Sequence, residues 1–137
     1  MTQKVFWFSF LLSLILFVFL DATWFQGFSL KYIYKPQFEA INAGPFLRKK
    51  IWTGLFTWIV LAFTAALFVV SFYDDYGLGR MFVVGLYLGF AIYFVYNFTN
   101  YATINKYTMR TATIDTMWGS ILFGTVSCTT ALFAKLF

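Results

Sequence analysis

From Val5 to Leu20 the chain carries nothing more polar than Ser9 and Ser13. A helix crossing about 30 Å of hydrocarbon needs about 20 predominantly apolar residues. The first run reaches that length when continued to about Phe28, with Asp21 interrupting its tail. Three similar runs follow, from about Ile51 to Phe72, from Met81 to about Tyr101 and from Ala112 to about Phe133. In lipid every backbone polar group has to be paired internally, so only helices and closed barrels cross. The runs are continuous and do not alternate at period two, which argues against a barrel. The expected fold is all-α: an integral membrane four-helix bundle, up-down-up-down, in one domain over residues 1–137. Residues 29–50 are expected to form a basic, aromatic interfacial connection.

Composition narrows the chemistry. With 61% hydrophobic and 11% charged residues, too few polar side chains remain to cover a water-facing surface. Histidine is absent, which removes the commonest general base, the usual zinc ligand and every Ser-His-Asp arrangement. Cys128 is the only cysteine, so there is no internal disulfide and no cysteine metal site. No metal and no cofactor is expected. The net charge of +5 comes without any nucleic-acid motif or basic helix face, so no nucleic-acid partner is expected either. The start Met-Thr-Gln-Lys resembles a secretory signal, but the apolar run is long and no small-x-small site follows Leu20, so an uncleaved anchor is expected.

The cations are sorted by side. Lys31, Lys35, Arg48, Lys49 and Lys50 lie between the first two spans, and Lys106 and Arg110 between the last two. The opposite side holds Lys4, Arg80 and Lys135. Positive residues favour the cytoplasmic side, which puts the termini and the Asp74–Gly79 turn on the outer face. The first connection also holds Pro36, Pro45, Gly27 and Gly44 among Phe28, Tyr32, Tyr34, Phe38 and Phe46. That mixture of rings and cations suits the headgroup layer, with Lys31, Lys35, Arg48, Lys49 and Lys50 as expected lipid headgroup contacts; a plain connecting loop is the alternative.

Polar residues gather at the same inner end. At about 1.5 Å of rise per residue, Asp21 lies about 10 Å and Trp24 about 6 Å from the inner end of the first span. On the same scale Asp115 falls about 4.5 Å and Trp118 about 9 Å into the fourth. Asp-x-x-Trp thus occurs twice, on helices expected to be antiparallel, and the spacing of three puts both side chains on one face. Matching depths suggests a reciprocal pair, Trp118 donating to Asp21 and Trp24 to Asp115, since an indole only donates and a carboxylate only accepts. An intramembrane Asp costs about 2.5–3.5 kcal/mol on insertion scales, so two of them need a reason. One is an ion, proton or ligand path, for which Asp21 is the better candidate. The other is polar glue between helices, which the first-turn position of Asp115 favours. Asn97 and Asn100 close the third span and Thr53, Thr57 and Trp58 open the second at this end.

Other features point to packing. Gly85-x-x-x-Gly89 favours close helix contact, within the chain or with a partner. Cys128 sits among Thr125, Ser127, Thr129 and Thr130, residues that also favour close contact. The stretch Tyr93-Phe94-Val95-Tyr96 reads as interfacial belt rather than cofactor lining.

The segment from Tyr93 through Asn97, Asn100 and Thr103, followed by Asp115-Thr-Met-Trp118-Gly119, resembles the signature of a family of small predicted membrane proteins catalogued as domain of unknown function 2177. Asp21-x-x-Trp24 is similar to that family's first motif, and length and four-span layout agree. The resemblance implies no catalytic residue. The family pattern usually has an acid where this chain has Asn97, a departure that favours a structural role here.

Three functions are consistent with these residues. The first is a small membrane protein without catalytic activity, an accessory or structural subunit packed against other membrane protein subunits. The second is a small oligomeric transporter or channel using Asp21 and Asp115, with Asn97 and Asn100 at its inner mouth. The third is a lipid-binding or lipid-modifying protein, for which two Asp, Glu39 and no His offer little acid–base chemistry. The short connections leave little room for a soluble catalytic domain, which favours the first.

Overall fold

The computed structural model describes residues 1–44, 52–72, 75 and 77–136, and within them the chain is all-helical. The helices are α1 (Gln3–Trp24), a π-helical segment Phe25–Tyr34, α2 (Lys35–Asn42), α3 (Thr53–Phe68), α4 (Leu78–Thr103) and α5 (Met109–Ala134), with a 3₁₀ turn at Val70–Phe72. Four stretches are long and apolar enough to cross a membrane: Gln3–Asn42, Thr53–Phe72, Leu78–Thr103 and Met109–Ala134.

The first stretch differs from the expected span, which ended near Phe28 and passed into a connection. It continues as helix for 40 residues, so residues 29–42 of the expected interfacial connection are helical. Two breakers were tolerated. Gly27 stands in open space, and Pro36 falls where the π-helical segment passes into α2. α2 ends at Ala43 in the left-handed region (φ 49°). The π segment explains the continuity of one face. Buried side chains recur every four residues at Val5, Ser9, Ser13 and Phe17, and again at Ser29, Ile33 and Gln37. Asp21 and Phe25, half-buried, fill the gap at the same spacing. In an α-helix a four-residue stripe drifts by about 40° per step. The wider i→i+5 turns of a π-helix rotate it back. Ser29 reinforces the wide turn by donating its hydroxyl to the Trp24 carbonyl at 3.2 Å.

α5 is the hub. Of its most apolar window 56% is buried, against 17–33% in the other three stretches, although its mean hydropathy of 1.4 is the lowest of the four. The combination is physical: a helix facing lipid has to be apolar, whereas one enclosed by helices associates through small residues and hydroxyls. α4 lies directly against it. A methyl group on Gly89 would stand 2.5 Å from the Gly119 carbonyl oxygen, and one on Gly85 would stand 2.6 Å from Ser127 Oγ. The Gly-x-x-x-Gly pair therefore serves packing within the chain. Ser120 donates to the Leu86 carbonyl at 2.7 Å, and on the other side Ser13 and Thr130 are joined by their hydroxyls at 3.1 Å. Cys128 is half-buried on α5. α3 packs on α1 with Phe63 edge-on to Phe6 at 5.6 Å, and its Leu61, Ala62 and Ala65 are buried in the core. Mid-bundle, Phe17 and Phe123 are both fully buried and pack edge-to-face at 5.1 Å.

Candidate functional site

One turn beyond Phe17, α1 presents Asp21. Its Oδ1 accepts the indole N–H of Trp118 and its Oδ2 that of Trp58, both at 2.8 Å. One carboxylate thus ties α1, α3 and α5. The bond from Trp118 is the one that the matched Asp-x-x-Trp depths anticipated. Its reciprocal is not formed: Trp24 Nε1 is buried without a partner, and the Trp24 ring instead stacks on Trp118 at 4.6 Å and 12°. The reason is angular. Trp24 lies three residues past Asp21, off the four-residue stripe that faces α5, so its ring reaches α5 by its flat face and not by its edge.

Asp115 takes different donors. The Tyr34 hydroxyl, carried into the bundle by the π segment, donates to Oδ1, and Asn97 Nδ2 donates to Oδ2 at 2.7 Å. Asn97, fully buried, also donates to the Tyr93 carbonyl at 2.9 Å and accepts the Tyr107 hydroxyl at 2.7 Å. An amide suits this place because it gives and accepts at once, where a carboxylate would face Asp115 with acceptors only. Tyr107 lies between the two last helices. Burial foremost, then the charge on Asp115, pushes its hydroxyl up to about 12, while the Asn100 side chain partly offsets this. Asn100 thus sits beside Tyr107 rather than on either carboxylate, and its own carbonyl accepts the Ile104 N–H that ends α4. All four carboxylate oxygens are engaged, and every donor among the described residues is neutral.

Around this cluster lie two clefts. One of ≈ 300 Å³ reaches Asp21 between Phe25, Gly54, Thr57 and Trp58. The other, of ≈ 370 Å³, reaches Asp115 between Thr57, Leu61, Ile92, Tyr93 and Tyr96. Tyr93 is half-buried against Gly119, so it belongs to the packing and not to the belt, whereas Tyr96 is exposed. Below the cluster, Gln37 clamps α2 to the turn before α5: Nε2 donates to the Lys106 carbonyl at 2.6 Å, and Oε1 accepts from the Thr108 N–H at 2.8 Å and hydroxyl at 2.9 Å.

Of the expected residues, Asp21, Trp24, Asn97, Asp115 and Trp118 are brought into one cluster, with Asn100 at its edge. Lys31 lies 5.1 Å over the Tyr32 ring, and Lys35 is exposed at the start of α2. Arg48, Lys49 and Lys50, with Pro45 and Phe46, lie outside the described residues, as do Asp74 and Tyr76 of the turn between the second and third spans. Sequence reasoning missed Tyr34, Tyr107 and Gln37 and gave Trp58 no partner. The four-residue repeat from Val5 to Gln37 would have pointed to Gln37. Among the described residues no group of three His, Cys, Asp or Glu is placed to hold a metal ion.

A family model described as a predicted membrane protein, DUF2177, matches residues 6–132. No curated protein and no solved structure matches the chain.

Proposed function

The chain belongs to the DUF2177 family of predicted membrane proteins, and from that premise we propose that it is a non-catalytic structural subunit of a larger membrane protein assembly. Four helices long and apolar enough to span a bilayer make it an integral multi-pass protein in contact with lipid. The observation that supports the finer reading is the saturation of both acids. Asp21 and Asp115 spend all four oxygens on Trp118, Trp58, Tyr34 and Asn97, which come from every helix-bearing stretch. Carboxylates used in this way hold helices, and they leave no general base for a reaction. The crossing is up-down-up-down with the termini outward, a reading supported by Lys31, Lys35, Lys106 and Arg110 at the end where α2 meets the α4–α5 turn. The test is the mass of the native protein purified in mild detergent. A lone monomer of 15.9 kDa would sink the subunit reading.

A second reading, ion or proton passage, draws support from the two clefts that reach the carboxylates. Against it stands the Phe17–Phe123 pair. On α1 it lies between Ser13 and Asp21, and on α5 between Ser127 and Asp115, so it separates the carboxylates from the outer half of the bundle.

A further inference from the structure

A cleft that the cluster does not use lies under α2. It measures ≈ 210 Å³ and is bounded by Tyr32, Gln37, Lys106, Thr108, Arg110 and Thr111, with no acidic residue in its lining. Gln37 and Thr111 are each 4% exposed and form its floor, whereas Lys106, Arg110 and Tyr32 stand exposed at its rim. The rim is held in place. Lys106 is in the left-handed region (φ 68°), and its carbonyl is fixed by Gln37, so the cation stem leaves a pinned backbone. The volume lies below the roughly 300–1,000 Å³ of drug-sized ligand sites. Two cations, hydroxyls and a small volume match a phosphate ester: a guanidinium pairs with phosphate oxygens in a bidentate fork, and an ammonium adds a point charge.

We propose that this cleft binds the phosphate of an anionic phospholipid. It lies between α2 and the turn that joins α4 to α5, at the basic end of the bundle that the proposed crossing sets in the headgroup layer. Beside it Phe28 and Tyr32, 41% and 49% exposed, are tilted together at 5.2 Å and offer an aromatic shelf to the glycerol and upper acyl region. Basic pockets between spanning helices on the cytoplasmic-type side are suited to such headgroups. The site is independent of the subunit reading and stands or falls separately from it.

The full chain in uncharged detergent is titrated with dioctanoyl phosphatidic acid, dioctanoyl phosphatidylcholine and inorganic phosphate, and bound ligand is read by native mass spectrometry. Phosphatidic acid is expected to bind in preference to phosphatidylcholine. The double variant Lys106→Gln/Arg110→Gln weakens it roughly 10- to 30-fold. Ala40→Glu, which sets an acid at the cleft without touching either cation, has the same effect. Lys4→Gln/Lys135→Gln, at the other end of the bundle, binds like the wild type. Undiminished binding of phosphatidic acid by both cleft variants overturns the site, as does equal binding of phosphatidylcholine. Inorganic phosphate binding as tightly as phosphatidic acid overturns the lipid as its ligand.

Discussion

Trp118 Nε1 lies 2.8 Å from Asp21 Oδ1, and the two residues stand 97 positions apart in the chain. The contact joins α1 to α5, the most enclosed helix of the bundle, and shares its carboxylate with Trp58 of α3. Interhelical hydrogen bonds in membranes average about 0.6 kcal/mol, with a maximum near 1.7. A buried acceptor left unpaired costs about 1–3 kcal/mol.

Trp118→Phe and Trp58→Phe are therefore expected to lower thermal stability in detergent by about 1–2 kcal/mol each. Trp24→Phe serves as the internal control, because its Nε1 has no partner and Phe retains an aromatic face for Trp118. It is expected to be neutral within about 0.5 kcal/mol. Melting curves of the three variants under one condition decide the point, and equal losses in all three would assign the effect to ring packing alone.

Asn97→Leu leaves Asp115 Oδ2 without its donor and the Tyr107 hydroxyl without the acceptor for its proton, at a fully buried position. A loss of about 2–4 kcal/mol is expected, two unmet groups at about 1–2 each. Asn97→Asp is expected to be destabilising at neutral pH and to recover as pH is lowered, because a carboxylate there faces Asp115 with acceptors only. Denaturation of both variants across pH 5 to 8 checks this, and a pH-independent Asn97→Asp variant would speak against the arrangement.

Glycine substitutions separate packing from flexibility. At Gly89 an added methyl meets the Gly119 carbonyl at 2.5 Å, and at Gly119 it meets the Tyr93 ring at 2.1 Å. Both changes to Ala force α4 from α5 and are expected to cost about 1–3 kcal/mol. Gly54→Ala has nothing within 4 Å and lies inside α3, so it is expected to be neutral or to stabilise by up to about 1 kcal/mol. Melting temperatures of the Ala series give the order directly.

Alkaline pH tests the Tyr107 contact. Its hydroxyl is raised from 10.0 to about 12 by burial and by the charge on Asp115. The folded state therefore holds the proton more tightly than the unfolded chain. The stabilisation is whole below pH 10.0 and is lost as pH rises toward about 12. Tyr107→Phe is expected to lack this component, so its stability should fall less than that of the wild type over the same range.

Much of the bundle is legible in the sequence because lipid imposes length and apolarity on each crossing helix. Asp21 and Trp118 are legible as a pair because an intramembrane acid needs a donor at its own depth. The π segment is not, since Gly27 and Pro36 amid cations read as a loop, and the four-residue stripe matches neither a straight α-helix nor a strand. With that segment unseen, Tyr34 had no route to Asp115, and Trp24 was assigned the bond that Tyr34 makes. Gln37 was hidden for the same reason: a lone amide among rings and cations gains meaning only once Ser29, Ile33 and Gln37 fall on one buried face.

The central claim is that Asp21 and Asp115 hold helices together. A double-mutant cycle between Asp21→Ala and Trp118→Phe, measured by reversible unfolding in detergent, tests it most directly. The account predicts a coupling of about 0.5–2 kcal/mol in favour of the native pair. Strictly additive losses, with no coupling, would contradict it.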